Sequence, residues 1–393
     1  MFFIIATAIW ASIHIYLGWR FIGPLALRGA NRVYAWSLVA ALFSFLPVTF
    51  IIGIGGGAPE WFGVIHIVTF ILAGFTMIVF PLMLFRDVSL SLSGILVRLF
   101  GVITKGDGGH TPPDPGRRIF LLNSLNLGIG GTSAVLTTIG HLNTHKAPKV
   151  VRVDVPIKNL NENLDGMRIA QISDTHINRA DGGDGLKRIV DITNSLHPQI
   201  TAVTGDFVDG YVGHMRDHVK YIGDLKAEHG VYFVTGNHEY YWDPGAWLGE
   251  IKRLGLDILI NEHRIITRSG CKIMIAGVTD YNAGRHLPSH KSDPVSAVKG
   301  APTDCDFRLM LAHQPRSLYA VSGTDVDLQL SGHTHGGQFF PWNYLFPLFH
   351  PVGSGLTRFR NMWIYVNRGA AFWGPPLRLG APAEITLITL RKA

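Results

Sequence analysis

The chain has 393 residues, of which 47% are hydrophobic and only 16% are charged, and its formal net charge is +7. This apolar fraction, with a mean hydropathy above zero, is high for a soluble protein. Two cysteines, Cys271 and Cys305, exclude a disulfide framework and a zinc–thiolate site, and the absence of a basic stripe with interleaved aromatic residues argues against a nucleic-acid surface.

The apolar excess lies in residues 1–145, which we predict to be a transmembrane region preceding a globular domain at residues 146–393. Four segments approach the roughly 20 apolar residues that a spanning helix needs: residues 2–19, 34–54, 62–84 and 119–142. The fourth contains Asn123, Asn126 and several glycines, so a buried helix or a linker stays open as its alternative. Residues 88–103 are expected to form an amphipathic surface helix or a plain loop, and residues 110–115 a linker.

Basic residues predict the orientation of these segments. The first connection contains three arginines and the third contains four arginines and one lysine, whereas residues 55–61 contain neither. We therefore expect a multi-pass protein of the bacterial inner membrane, with its C-terminal domain on the periplasmic side. Arg117 and Arg118 resemble an internal twin-arginine export signal or follow from the positive-inside rule alone. The basic residues at positions 146, 149 and 152 argue against this orientation.

In the C-terminal part, short apolar runs alternate with helical patterns, which predicts a mixed α/β fold. Strands are predicted at 168–173, 200–204, 231–235, 272–278, 308–312, 327–330, 363–366 and 384–390, and helices at 185–196, 215–225, 245–254 and 315–321. Polar clusters follow five of these strands. Because ligands collect beyond the carboxyl ends of strands in open α/β sheets, we expect the five clusters to converge on one site.

The five clusters carry side chains that bind metal ions. They are Asp174-Thr-His176, Gly205-Asp206-Phe-Val-Asp209, Gly236-Asn237-His238-Glu239, His313 and Gly332-His333-Thr-His335-Gly-Gly. Carboxylates supply hard oxygen ligands and imidazoles suit first-row transition metals, so the mixture fits manganese, iron or zinc rather than calcium, with manganese favoured. Side chains at positions i and i+2 of an extended chain point to the same side, so each Asp-x-His or His-x-His pair can hold one ion or face two.

Together and in this order, the motifs resemble the calcineurin-like metallophosphoesterase superfamily, most closely its bacterial membrane-linked or exported phosphohydrolases. The resemblance covers residues 149–390, including Tyr365-Val-Asn-Arg-Gly369 and Gly380-Ala-Pro-Ala-Glu384. It implies a four-layer αββα sandwich, preceded here by an all-α transmembrane region of about four helices. The apolar N-terminal region lies outside the resemblance, so its function is predicted from composition alone.

The resemblance also implies roles for individual residues. One of two divalent ions would be held by Asp174, His176, Asp206 and His335, and the other by Asp206, Asn237, His313 and His333. Asp206 would therefore bridge both ions. His238 would be the catalytic residue that faces the substrate phosphate without binding metal, and Asp209 and Glu239 would orient the ligands through hydrogen bonds.

These roles predict a membrane-anchored phosphoester hydrolase. A hydroxide bridging the two ions would attack phosphorus, and His238 as imidazolium would stabilise the phosphoryl oxygens or protonate the leaving group. The aromatic run at residues 339–349 either packs under the sandwich or forms an apolar surface that meets lipid, and Tyr240, Tyr241, Trp242 and Trp247 are candidates to join it. The expected partners are the lipid bilayer and an amphiphilic phosphodiester or pyrophosphate, with no nucleic acid. A catalytically weak membrane scaffold or sensor and a protein phosphatase are the alternatives.

Overall fold

The computed structural model describes residues 2–54, 62–103, 114–178 and 183–393. The chain divides into two compact units. The first, which we call the helical unit, comprises Met1–His141 with Gly374–Leu377, and the second, the sandwich unit, comprises Leu142–Trp373 with Arg378–Ala393.

Four helices in the described residues are long and apolar enough to cross a membrane, by length and composition. They are α1 (Phe2–Ile22), α2 (Gly29–Ile54), α3 (Phe62–Ile103) and α4 (Pro115–Thr144). Each predicted spanning segment lies inside one of them. The fourth segment, for which a linker was an open alternative, is part of a 30-residue helix, so the linker interpretation is wrong.

Helix α3 is longer than one membrane crossing requires. Its 42 residues correspond to about 63 Å at a rise of 1.5 Å per residue, whereas the hydrocarbon core of a bilayer is about 30 Å thick. Residues 88–103 continue α3, so the loop interpretation is wrong. Val88, Leu90 and Leu92 in this extension are exposed. Of the predicted linker, residues 110–113 lie outside the described residues, and α4 begins at Pro115.

A polar cluster joins three of the helices in the helical unit. The Asp87 carboxylate of α3 accepts a hydrogen bond from the Tyr16 hydroxyl of α1 and pairs with Arg20 Nε, each at 2.6 Å. Arg86 Nη2 pairs with the same carboxylate at 2.6 Å and Arg86 also donates to the Asn126 amide oxygen of α4. The Asn126 amide in turn donates to the Arg20 carbonyl at 2.8 Å. Charged side chains in apolar helical regions are typically paired in this way.

Twelve strands are described in the sandwich unit. They are β1 (Lys149–Ile157), β2 (Arg168–Ile172), β3 (Ile200–Val203), β4 (Val231–Phe233), β5 (Asp257–Ile258), β6 (Glu262–Arg268), β7 (Cys271–Gly277), β8 (Phe307–Leu311), β9 (Leu328–Ser331), β10 (Gly355–Phe359), β11 (Met362–Val366) and β12 (Glu384–Lys392). The described helices are α5 (Asp184–Ser195), α6 (Val212–Val219), α7 (Asn237–Tyr241), α8 (Pro244–Arg253), α9 (Pro294–Val298), α10 (Leu318–Val321) and α11 (Trp342–Leu345).

The strands form two six-stranded sheets, in the orders β1-β12-β2-β3-β4-β5 and β10-β11-β9-β8-β7-β6. In the first sheet β2, β3, β4 and β5 are parallel, and β12 runs antiparallel to β2. In the second sheet β7, β8, β9 and β11 are parallel, with β6 and β10 antiparallel at the two edges. Parallel pairing brings the carboxyl ends of the central strands to one edge of each sheet.

Apolar side chains fill the spaces between four layers. The core between the sheets contains residues from both, including Ile169 of β2 and Ile273 of β7. A second core contains Ile172 of β2 and Trp247 of α8, and a third contains Met310 of β8 and Ala297 of α9. The order helix, sheet, sheet, helix confirms the predicted αββα sandwich.

All eight predicted strands are present, and the structure adds β1, β5, β6 and β10. These four are the edge strands of the two sheets. An edge strand lacks the continuous apolar run of a strand buried on both faces, and β1 and β6 indeed have mostly exposed or half-buried side chains. The sequence pattern therefore identified the interior of each sheet and missed its borders.

Candidate metal centre

The ends of central strands from both sheets bring the predicted residues together. Asp174 follows β2, Asp206 follows β3 and Asn237 follows β4, whereas His313 follows β8 and His333 follows β9. The backbone N–H of His333 donates to both oxygens of the Asp174 carboxylate at 3.0 Å. Because Asp174 belongs to one sheet and His333 to the other, this contact joins the two sheets at the site.

The backbone is strained at five of the predicted ligands. Asp174, His176, Asp206, His333 and His335 have φ angles of 53°, 42°, 52°, 71° and 50°. Side chains other than glycine rarely adopt this left-handed region, and each such residue costs about 1–3 kcal/mol. Strain of this kind persists where the surrounding structure holds residues in a functional arrangement, so its concentration here supports a functional site.

Glycines permit the close approach of the strand ends. A Cβ atom at Gly332 would overlap the Ser173 hydroxyl and the Asp174 carboxylate. A Cβ atom at Gly236 would overlap the backbone nitrogen and the carboxylate of Asp206. Neither position therefore accepts a larger side chain without moving a predicted ligand.

The first group of candidate ligands consists of Asp174, His176 and His335, which offer ligand atoms within 4.8 Å of one another. The Nε2 atoms of the two histidines lie 3.1 Å apart, and His335 Nε2 lies 3.4 Å from Asp174 Oδ1. These three residues are buried. Together they offer one carboxylate oxygen and two imidazole nitrogens to a single ion.

The second group consists of Asp206, His313 and His333, and a third group combines Asp206 with His176 and His238. His313 Nε2 lies 3.1 Å from Asp206 Oδ2, and His176 Nε2 lies 3.8 Å from the same oxygen. Asp206 is therefore near ligands of both predicted ions, as a bridging carboxylate must be.

Asn237 supplies the strongest indication that a cation fits the site. Its Oδ1 atom is buried and accepts no hydrogen bond within the described part of the chain. A buried polar atom without a partner is unfavourable by about 1–3 kcal/mol, and coordination of a cation by an amide oxygen removes that cost. The donor set of carboxylate, imidazole and amide therefore fits divalent metal ions.

The two residues predicted to orient the ligands make the contacts that this role needs. Asp209 Oδ1 bonds to His238 Nδ1, and Asp209 Oδ2 lies 3.2 Å from His176 Nδ1. Glu239 accepts backbone N–H bonds from Asp206 at 3.1 Å, Phe207 at 2.7 Å and Gly236 at 2.6 Å. Asp209 thus bonds to the ring of His238 and lies beside that of His176, and Glu239 holds the turn that carries Asp206.

The electrostatic environment separates the histidines into two classes. Burial alone would lower the pKa of His238, but Asp206 and Asp209 raise it to about 9, so this ring is charged at neutral pH. Burial, with the neighbouring His313, lowers the pKa of His333 to about 3. Burial and then Arg378 hold the pKa of His335 well below its usual value. His333 and His335 are therefore neutral and have a lone pair for a metal, whereas His238 holds a proton. Asp206 also raises the pKa of the predicted ligand His313 well above its usual value, against the effect of burial.

Sequence reasoning missed two charged residues of the site. Arg378 is buried, and its guanidinium donates to His335 Nδ1 at 3.1 Å and to the His335 carbonyl at 3.2 Å. Asp280 is buried and accepts a hydrogen bond from the Gln314 amide at 2.8 Å. Asp280 lies just after β7 and could have been found by the strand-end rule. Arg378 lies in a Pro- and Gly-rich segment with no local signal.

The aromatic residues near the site divide between two environments. Phe339 is buried at the start of the predicted run, whereas Tyr344, Leu348 and Phe349 are exposed. The packing interpretation therefore holds for the start of the run, and the later part is an exposed apolar surface. Tyr241 is exposed, but Tyr240 is buried and Trp247 is fully buried. The expectation that the last two join an exposed surface is wrong, because they point into the sandwich.

Comparison with known proteins agrees with this geometry. The family model described as calcineurin-like phosphoesterase matches residues 167–337, a range that contains every predicted site residue. The chain is similar to proteins of Danio rerio and Bos taurus that are named transmembrane protein with metallophosphoesterase domain. Identity is 36% over 269 residues with the first and 36% over 274 residues with the second, and each match covers 66% of this chain.

A protein of Helicobacter pylori strain J99, named uncharacterized metallophosphoesterase, is 32% identical over 278 residues. That match covers 70% of this chain and 73% of the relative. By contrast, the chain spans only 61% of the length of the Danio rerio and Bos taurus relatives.

Proposed function

The chain belongs to the calcineurin-like phosphoesterase family, and from this premise we propose that it is a membrane-anchored phosphoester hydrolase that uses two divalent metal ions. One observation carries the proposal: Asp206 belongs to two of the three ligand groups. One of these two groups also contains His176, which is a member of the group of Asp174 and His335 as well, so shared residues connect all three groups. A carboxylate shared in this way could hold two ions about 3.5–4 Å apart.

The ligand set of the first ion would be Asp174, His176, Asp206 and His335, and that of the second would be Asp206, Asn237, His313 and His333. Their mixture of oxygen and imidazole donors supports manganese, with iron and zinc as alternatives of similar ligand chemistry. When bound, the ions would neutralise the phosphoryl oxygens and generate a nucleophile from water at neutral pH.

His238 would act directly on the substrate. Its Nδ1 is bonded to Asp209, which leaves Nε2 facing the site at 3.9 Å from Asp206 Oδ2. Before ions bind, Asp206 and Asp209 raise the pKa of this ring to about 9 against the effect of burial. Asp209, which is not a predicted metal ligand, would still favour the protonated ring when ions are bound. The ring would stabilise the phosphoryl oxygens or deliver this proton to the leaving oxygen, which contributes about 10²–10⁴-fold to the rate.

We further propose that the substrate is amphiphilic, a phosphodiester or pyrophosphate that carries an apolar group. Two features support this. Four helices of the described chain are apolar enough to span a membrane, and the segment after the last two histidines exposes Tyr344, Leu348 and Phe349. Contiguous exposed apolar side chains commonly mark sites that bind lipid or another protein.

The basic connections support insertion in a bacterial inner membrane with the sandwich unit on the periplasmic side. Fusing alkaline phosphatase or a green fluorescent protein after Ala393 tests this orientation. External phosphatase activity is the expected result. A fluorescent fusion in the cytoplasm without phosphatase activity would contradict the proposed orientation, although it would leave the hydrolase proposal intact.

Hydrolysis by the purified full-length chain tests the proposed activity. Manganese-dependent cleavage of bis(4-nitrophenyl) phosphate, faster than that of 4-nitrophenyl phosphate, is expected. His238→Asn should lower the rate with metal content retained, and the Tyr319→Ala control, an exposed ring outside the site, should behave as wild type. A chain that binds two ions and hydrolyses neither ester would instead support a scaffold or sensor, and cleavage of phosphopeptides alone would support a protein phosphatase.

A further inference from the structure

Trp373 places an apolar surface beside the proposed catalytic histidine. The centroid of its ring lies 5.5 Å from that of His238 and 6.5 Å from that of His176. The side chain nevertheless remains 52% exposed, although an indole ring gains much from burial. Trp373 also lies outside residues 167–337, the range that the family model matches.

The backbone that carries Trp373 is fixed, so its exposure does not result from a loose segment. The Gln338 side-chain amide makes two hydrogen bonds to the backbone of Trp373: its Oε1 accepts from the Trp373 N–H at 2.9 Å, and its Nε2 donates to the Trp373 carbonyl at 3.0 Å. Three residues earlier, Ala370 N–H donates to the Ser173 carbonyl at 2.8 Å. Gln338 is itself buried and follows the last histidine ligand by three residues.

Arg378 holds the same segment from within. Its guanidinium donates to the carbonyls of Gly369 and Ala371 as well as to His335. The metal-ligand loop and the segment before Trp373 therefore share one buried hydrogen-bonding network. Such a network keeps the ring at a constant position relative to the ligands.

A second aromatic ring lies beside His238. The ring of Tyr241 lies 5.1 Å from that of His238, and this side chain is exposed. A group that His238 protonates or stabilises therefore comes close to these two rings. Aromatic faces attract apolar and flat groups rather than phosphoryl oxygens, so they face the organic part of an ester.

We propose that Trp373 is a specificity-determining residue, whose exposed ring packs against the organic group of the ester and selects substrates with an apolar or flat group next to phosphorus. Gln338 is the positioning residue that holds Trp373 there. This inference rests on the proposed hydrolase function and adds to it the part of the substrate that the chain recognises.

A series of diesters with two identical 4-alkylphenyl groups tests this inference, since the identical groups remove any dependence on which one lies beside His238. The leaving-group pKa is nearly constant from methyl to propyl. Wild-type kcat/KM should rise along the series, by up to about fourfold for each methylene that is fully buried. Trp373→Ala should remove most of this rise, Trp373→Phe should keep part of it, and Gln338→Glu, which cannot donate to the Trp373 carbonyl, should also reduce it.

Metal content and thermal unfolding of each variant separate a loss of selectivity from a loss of fold, and Trp373→Phe remains informative if the alanine variant fails to fold. Tyr319→Ala serves as the control and should show the wild-type profile. Partition of the esters into detergent affects all variants equally, so this effect cancels when the variants are compared. An equal rise in wild type and Trp373→Ala, or a flat wild-type profile, would overturn the inference alone. Absence of hydrolysis of every ester by the metal-loaded wild type would overturn the proposed function and the inference with it.

Discussion

Replacing Asp209 with asparagine is expected to move the alkaline limb of the pH–rate profile to lower pH. The amide has nearly the shape of the carboxylate, and its oxygen can still accept a hydrogen bond from His238 Nδ1. The substitution therefore removes the negative charge beside the ring while it retains the contact. Because His238 needs its proton for the proposed role, the pH at which the rate falls reports the pKa of this ring.

The size of the displacement follows from the environment of His238. Before ions bind, Asp206 and Asp209 raise its pKa from 6.5 to about 9 against the effect of burial. That difference corresponds to about 3 kcal/mol in favour of the charged ring. Asp209 contributes both a charge and a hydrogen bond, so its neutral replacement should lower the pKa by about one unit or more, or about 1.4 kcal/mol. A raised pKa means that the ring is charged below that value and loses its proton as the pH rises through it.

The assay is kcat/KM for bis(4-nitrophenyl) phosphate across the alkaline range at saturating manganese. Where wild type and Asp209→Asn contain the same ions, the displacement of the limb isolates the effect of Asp209. Metal content is measured in parallel, because Asp209 Oδ2 also lies 3.2 Å from His176 Nδ1. His238→Asn should lack the limb altogether. A limb that stays at the wild-type pH in Asp209→Asn, whatever the loss of rate, would refute the assignment of His238.

Asp206→Asn should lose both ions and all activity, since this carboxylate is shared between the ligand groups; two ions per chain by metal analysis would contradict the bridging role. Gly332→Ala should lower kcat by about 10²-fold, because its Cβ would displace the Asp174 carboxylate. The matched Gly249→Ala, which has open space on helix α8, should be neutral or more stable by up to about 1 kcal/mol. Glu239→Gln turns a donor toward backbone N–H groups and should destabilise by about 1–3 kcal/mol, seen as a Tm lowered by about 2–4 °C per kcal/mol; an unchanged Tm would argue against its role in fixing the turn. Chelation should lower the Tm of wild type more than that of Asp206→Asn, because ions that bind only the folded state stabilise it.

Features that depend on a short stretch of neighbouring residues could be predicted from the sequence. The apolar length of the four spans and the strand-end position of residues such as Asp174 and His313 are visible within a short window, because a strand buried on both faces reads as an apolar run. The edge strands β1, β5, β6 and β10 could not be predicted in this way. An edge strand pairs with only one neighbour, and its exposed side chains interrupt the apolar run. The continuation of α3 through residues 88–103 could not be decided from the sequence, because the pattern of this segment is compatible with both a helix and a loop.

The residues of the site likewise divide into those that the sequence predicts and those that it does not. Asp206, His238 and the other motif residues could be identified because each follows a central strand, and their roles were implied by the resemblance to the calcineurin-like family. Arg378 and Trp373 could not, because they are separated from the ligands by at least 38 residues of chain and meet them only through the tertiary fold. Their contribution depends on hydrogen bonds of the segment that carries them, which no spacing in the sequence encodes.

The balance of charge at the site explains why its carboxylates and its metals must be considered together. Asp174, Asp206, Glu239 and Asp280 are all buried. Burial raises the pKa of Asp174, of Asp280 and, to about 7, of Glu239, which is the response of carboxyl groups that repel one another in a medium of low polarity. Arg378, the charged His238 and His313, whose pKa Asp206 raises well above its usual value, offset part of this negative charge. Two divalent ions would supply the remainder and favour the ionised carboxylates, so that loading the site releases protons and couples metal affinity to pH. The same charges that make the site unfavourable without cations would thereby favour the binding of a pair of them.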